Sequence, residues 1–388
     1  MKKLYTLAIL FTATIGFSQN VANSTESTQE IQAIPAGYYN AATGTGYALK
    51  TQLHNIIKNH TDNGYGGLWG IYTQTAFRDN YYENDGSLLD IYSEKPSGPD
   101  NYQYTSTSQQ CGNYSGEGQC YNREHLIAQS YFNEASPMKN DPFHVVATDG
   151  SVNGARGNFP FGVVGTANYT SSNGSKRGSN LVNSFSNFSG TVFEPIDEFK
   201  GDVARTFFYF ATCYQDKMAG FYTASNVAST QVKAMFDGSA DKVFSDGFIL
   251  LMIKWHKQDP VSAKEIAQND AIYTYQGNRN PFIDNPGYVC QIWSAQCATV
   301  DSLLSTPSFD FASVAVYPNP SNNHRINIDT EVVLDEIELI NINGQLMQQI
   351  KNPSSTGNTY SLENLPSGFY FLKLTSDNQS TTRKVIIN

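Results

Sequence analysis

The chain has 388 residues, 40% of them hydrophobic and 15% charged, with a formal net charge of -10. That length predicts two or three domains, and the composition supports packed cores, which excludes an intrinsically disordered chain. The acidic balance excludes a general nucleic-acid coat protein, although a local basic groove or a bound metal still lets an acidic molecule meet a polyanion.

Met1-Lys2-Lys3, an apolar run from Leu4 to Phe17, and Ser18-Gln19 read as a secretory leader of residues 1–18, cut near Ser18. The run is too short to span a bilayer. Residues 19–37 form a polar lead-in. Tyr47 to His60 has helical apolar spacing through Leu49, Leu53, Ile56 and Ile57, with His54 and His60 as surface or packing residues. Trp69 to Ser93 holds Asp79, Asp85 and Asp90 but lacks the dense alternation of a calcium loop, so it reads as scaffold. Five cysteines fit an oxidising compartment. Cys111 and Cys120 flank a Gly-rich loop, and Cys290 and Cys297 a short segment, so two local bridges are expected. Cys213, inside the apolar run Val203 to Tyr214, is expected as a buried free thiol.

The window from Asn122 to Gly162 concentrates the chemistry. A hard divalent cation takes oxygen ligands, a hydrolytic step near neutral pH takes an imidazole base, and a phosphate takes an arginine fork. Glu124, His125, Asn153 and Arg156 are that set. Thr170 to Asn180, rich in Gly, Ser and Asn, reads as a loop in which Lys176 and Arg177 are solvated or grip a phosphate backbone, the former being favoured. Val203 to Tyr214 and Gly247 to His256 read as buried helices, and Ser262 to Asn269 as a helix capped by Ser262. Residues 299–313 read as a linker. From Val314 on, alternating short runs with an Asn343-Gly344 turn predict strands.

Arg123-Glu124-His125, Asp141 and the Thr-Asp-Gly-Ser-Val-Asn-Gly-x-Arg-x-Asn run from Thr148 to Asn158 resemble the bacterial endonuclease I family. So do Glu194-Pro195, Lys200 to Arg205 with Tyr209, Trp255-His256 and Gln276 to Asp284, in the same order. The resemblance implies an α+β fold, a ββα-metal (His-Me finger) nuclease core with surrounding helices over residues 38–298. It implies Glu124 and Asn153 as ligands of one Mg²⁺, with Mn²⁺ or Ca²⁺ as substitutes, and His125 as general base. Arg156 is then a catalytic phosphate holder or a structural ion pair; Arg205 and Arg279 have the same two readings, and Asp141 orients the site. The expected substrate is double-stranded DNA, with RNA as a second substrate.

Residues 314–388 resemble the C-terminal sorting domain of the type IX secretion system, which implies a small all-β sandwich, that machinery as a partner, and passage through the periplasm to the medium or the cell surface. An ordinary carbohydrate-binding sandwich is the alternative. A monomer is expected. The chain departs from the endonuclease pattern at Ala128, where the family has proline, and at Asp141-Pro142-Phe143, followed by His144, where it has Asp-Leu-His. Only Lys139 is basic between Tyr131 and Asn140. A protease or esterase is disfavoured, because the chain has neither His-Glu-x-x-His nor Gly-x-Ser-x-Gly. The competing reading is a non-catalytic surface binding module, or adhesin, on a degenerate nuclease fold.

Overall fold

The computed structural model describes residues 34–223, 229–305, 314–376 and 379–388, so the expected leader and most of the lead-in lie outside the described residues. The chain divides into two compact units, Met1–Val300 and Asp301–Asn388.

In the first unit, α1 (Gly46–Ile57) buries Leu49, Leu53 and Ile57, the expected stripe, and α2 (Gly64–Ile71) follows it. A long irregular segment leads to β1 (Tyr121–His125), which pairs antiparallel with β2 (Val145–Asp149), His125 lying opposite Val145. Directly after β2 comes α3 (Gly150–Arg156). Asp149 starts this helix: its Oδ1 accepts the Val152 N–H at 2.9 Å, while its Oδ2 accepts the Tyr104 hydroxyl at 2.6 Å and the Gly118 N–H at 2.8 Å. Tyr114 lies over Gly150 and Gly154, where any Cβ would collide with its ring, so the glycines let the tyrosine close on α3.

Of the segment expected as a loop, residues 171–175 form a turn, but its second half is a strand of a sheet made by β3 (Val164–Thr170), β4 (Lys176–Asn180) and β5 (Thr191–Glu194) in the order β3-β4-β5. Its first two strands are largely small and polar and shift register twice against each other; β4 also pairs with β5.

The core is helical. In α4 (Lys200–Cys213) every residue from Val203 to Cys213 is buried. After α5 (Met218–Thr223) and α6 (Ser229–Met235), α7 (Asp246–Gln258) packs along it, with the Phe207 and Phe248 rings 5.0 Å apart. α8 (Ala263–Gln276) starts on the expected Ser262 cap, which forms a capping box with Glu265, and runs a further seven residues beyond Asn269, as 276 − 269 gives. Glu265 also takes Arg205 at 2.5 and 2.8 Å. Arg279 is held likewise by Asp270 and Asp284, so both guanidiniums are structural ion pairs. After α9 (Pro281–Asp284) and α10 (Tyr288–Ile292), α11 (Ser294–Leu304) occupies the first part of the expected linker, because Cys297 and Val300 anchor it in the core. Disulfides join Cys111 to Cys120 and Cys290 to Cys297, and Cys213 is free and buried.

The second unit contains β6 (Ala315–Tyr317), β7 (Ile326–Asp329), β8 (Glu336–Asn341), β9 (Leu346–Lys351), β10 (Thr359–Leu362), β11 (Gly368–Ser376) and β12 (Gln379–Ile387). They form two sheets, β10-β7-β6 and β12-β11-β8-β9, whose Ile326, Ile328, Leu339, Leu372 and Leu374 share one core. No described helix is long and apolar enough to cross a membrane.

Candidate active site

Side chains alternate across a strand, so Asn122 and Glu124 share a face of β1 and Arg123 takes the other. The Arg123 guanidinium lies 3.3 Å over the Tyr65 ring and 4.2 Å from that of Trp69, and donates to the Tyr65 carbonyl at 2.7 Å. His125, the last residue of β1, follows the alternation and lies on the Arg123 side, its ring meeting the same Tyr65 ring.

The Asn122–Glu124 face meets α3. Asn153 Nδ2 donates to Asn122 Oδ1 at 2.7 Å and to the Arg123 carbonyl at 3.3 Å. A backbone carbonyl only accepts, so this bond turns the amide nitrogen toward β1 and the amide oxygen away from it. One helical turn on, Arg156 reaches Glu124 Oε1 at 3.2 Å and donates to the carbonyls of His125 at 2.9 Å and Leu126 at 2.6 Å. Tyr92 donates to the same Glu124 oxygen at 2.9 Å. Of the two readings of Arg156, the geometry is that of the structural ion pair: at 1% exposure its fork is turned onto the chain itself. Burial pushes the Glu124 carboxyl up to about 7, against the pull of Arg156 and Tyr92.

His125 is held by its Nε2, which donates to the Lys139 carbonyl at 3.1 Å, and its ring stacks on Tyr65 with centroids 5.8 Å apart. Since that carbonyl can only accept, the neutral ring carries its proton on Nε2 and leaves Nδ1 as a lone pair. Burial first, then the neighbouring His144, lowers the imidazole to about 3, outweighing the Lys139 carbonyl. His144 does the same for the turn one residue earlier, its Nε2 meeting the Met138 carbonyl at 2.5 Å; burial lowers it to about 4.

Asp141 closes that turn and is wholly buried. Its Oδ2 accepts from Tyr209 at 2.8 Å and Tyr214 at 2.7 Å, and its Oδ1 from Gln276 at 3.0 Å and the Phe143 N–H at 3.0 Å. Burial works to raise this carboxyl, but His60, His144 and these donors hold it below the ordinary value. Asp141 thus fixes the turn whose Lys139 carbonyl aims His125. The Lys139 ammonium itself pairs with Glu134 at 2.5 Å.

Glu124, whose carboxylate also takes the His125 N–H, and Asn153, whose amide oxygen faces away from β1, are oxygen donors of the hard type that a divalent cation takes. Sequence reasoning missed Tyr92, Tyr65 and Asn122. Asn122, two residues before Glu124, was open to the strand alternation rule, but nothing local marks Tyr92 or Tyr65.

A strand pair closed by a histidine and followed by a helix presenting oxygen donors is the frame of a nuclease. The chain belongs to the endonuclease I family, whose profile matches residues 45–287. The profile of the secretion system C-terminal sorting domain matches residues 315–388, so the second unit is that sorting domain and the protein is secreted or cell-surface. The chain is similar to a protein named extracellular ribonuclease from Bacillus amyloliquefaciens, 35% identical over 66% of this chain and 78% of that one. It is similar also to one of the same name from Bacillus subtilis (strain 168), 32% identical over the same shares. A shorter likeness, 31% identical over 25% of this chain and 17% of the other, joins it to ulvan lyase NLR42 of Nonlabens ulvanivorans.

Proposed function

We propose that the protein is an exported, sequence-nonspecific, divalent-metal-dependent nuclease that cuts both DNA and RNA by activating water. The observation that carries this reading is the His125 ring, tethered at Nε2 by the Lys139 carbonyl, which leaves Nδ1 as its lone-pair nitrogen. Nδ1 takes the proton from the attacking water, and the ring, clamped by Tyr65, stays aimed as it does so. Glu124 and Asn153 would hold the cation, which supplies charge stabilisation at the phosphate and at the departing 3'-oxygen. Mg²⁺ suits two protein oxygens with waters completing the shell. Arg156 positions Glu124 and the backbone after His125 and does not touch the substrate.

Water as nucleophile needs no ribose 2'-hydroxyl, so the mechanism accepts DNA as well as RNA. The two relatives named as ribonucleases support RNA as a substrate. The test is cleavage of plasmid DNA and of an RNA oligomer, each with Mg²⁺ and with EDTA, by the wild type and His125→Ala. Both substrates should be cut with Mg²⁺ only, and the variant should be slower by roughly 10² to 10⁴ fold. Cleavage of RNA alone, with 2',3'-cyclic phosphate ends, would refute water activation; a fully active His125→Ala would refute the base.

A further inference from the structure

The acidic segment between Asp79 and Asp100, which reads as scaffold in the sequence, contains a carboxylate unlike any other described here. Glu94 is 1% exposed, and among the described residues no donor outside the acidic trio meets either of its side-chain oxygens. Other buried carboxylates of the first unit are answered: Glu124 by Arg156, Glu265 by Arg205, Asp284 by Arg279, and Asp141 by two tyrosines and a glutamine. What faces Glu94 is more negative charge. Ligand oxygens of Asp79, Glu83 and Glu94 lie within 4.8 Å of one another, and Glu83 Oε2 is also buried without a partner. Among the described ion pairs none involves Asp79, Glu83, Glu94 or Asp100.

We propose that Asp79, Glu83 and Glu94 form a Ca²⁺ site, separate from the candidate active site. A buried carboxylate is tolerated when it is paired or coordinates a metal, and among the described residues no cation pairs with this one. The donors are all oxygens, which selects a hard ion. Three carboxylates in one cluster match the carboxylate-rich shell of Ca²⁺, whereas Mg²⁺ keeps several waters and takes one or two carboxylates.

The backbone prepares this site. Asp79 is held from behind: its Oδ1 accepts the N–H groups of Tyr81 at 3.0 Å and Tyr82 at 2.9 Å, and its Oδ2 that of Asn84 at 2.9 Å. Those bonds curl the chain so that Glu83 returns toward Asp79. Glu94 lies two residues beyond Tyr92, which donates to Glu124, and four beyond Asp90, whose Oδ2 accepts the Asp149 N–H at 2.7 Å. The ion therefore ties the Asp79 turn to the segment that braces both Glu124 and the start of α3.

The test titrates CaCl₂ calorimetrically into the EDTA-dialysed full exported chain carrying Glu124→Ala and Asn153→Ala, which removes the candidate active-site ligands. One Ca²⁺ should bind per chain and raise the melting temperature. Adding Glu94→Gln or Glu83→Gln should weaken binding by at least about tenfold and remove the thermal shift, since each deletes a charged ligand. Two results would overturn the proposal: no binding at millimolar Ca²⁺ with Glu94→Gln stabilising the metal-free chain, which means that the trio holds a proton, or binding that neither variant alters. Nuclease activity is not the readout, so this inference and the proposed function fail separately.

Discussion

Replacing Arg156 by methionine is the most exacting test of the site's architecture. The guanidinium stands 3.2 Å from a Glu124 carboxylate that is 2% exposed. At an effective dielectric constant of about 20 that separation corresponds to about 5 kcal/mol of attraction, and removing one partner of a buried pair typically costs roughly 3 to 5 kcal/mol. The same change leaves the His125 and Leu126 carbonyls without their donor, at roughly 1 kcal/mol or more each. These terms share one site and do not add fully, so Arg156→Met should lose about 5 kcal/mol, a large part of a typical domain's stability. Urea unfolding monitored by tryptophan fluorescence measures it. Adding Glu124→Gln should return about 2 kcal/mol, because a buried amide costs less than a buried unpaired carboxylate. Loss of less than about 1 kcal/mol, or the same loss with and without Glu124→Gln, would show that Arg156 is not Glu124's structural partner and would restore it as a phosphate contact.

Asp141→Asn should destabilise most near neutral pH. The folded carboxyl is held below its ordinary value of 3.8, so its contribution is complete above that value and is lost as pH falls through the folded one. The gap between variant and wild type in urea titrations should therefore narrow below about pH 4, and a gap that widens there would contradict the sign. Removing the Cys290–Cys297 bridge, which closes a short loop, should cost about 2.5 kcal/mol in denaturant unfolding. Deleting residues 314–388 should leave nuclease activity intact and hold the protein in the periplasm, because the sorting domain has its own core; cell fractionation reads the outcome.

Sequence signals located the elements whose determinants are local. The Ser262–Glu265 capping box announces α8, and the apolar stripe of α1 its buried face. β3 and β4 were illegible because Gly, Ser and Asn give a strand little propensity of its own, so the two owe their conformation to pairing with each other and, for β4, with β5. Within the site, Glu124, His125 and Asn153 stand in a recognisable run. Their supports do not: Tyr92 is 32 positions from Glu124, and the group that aims His125 is a main-chain carbonyl, which any residue at position 139 would provide. The Asp79–Glu94 trio escaped for a related reason, since its spacing is irregular and only the buried, unanswered Glu94 exposes it.

The inward turn of the arginines bears on how the enzyme meets a polyelectrolyte. Arg123 is laid on Tyr65, Arg156 on Glu124, Arg205 on Glu265 and Arg279 on Asp284, in a chain of net charge -10. Each phosphate neutralised by a protein cation steepens the fall of log affinity with log salt by about 0.9 on duplex DNA, through counter-ions released. Four guanidiniums committed to internal partners release none. These four therefore add nothing to the salt dependence of substrate capture, and whatever slope the Michaelis constant shows against sodium chloride comes from other cations of the first unit, such as Lys176 and Arg177.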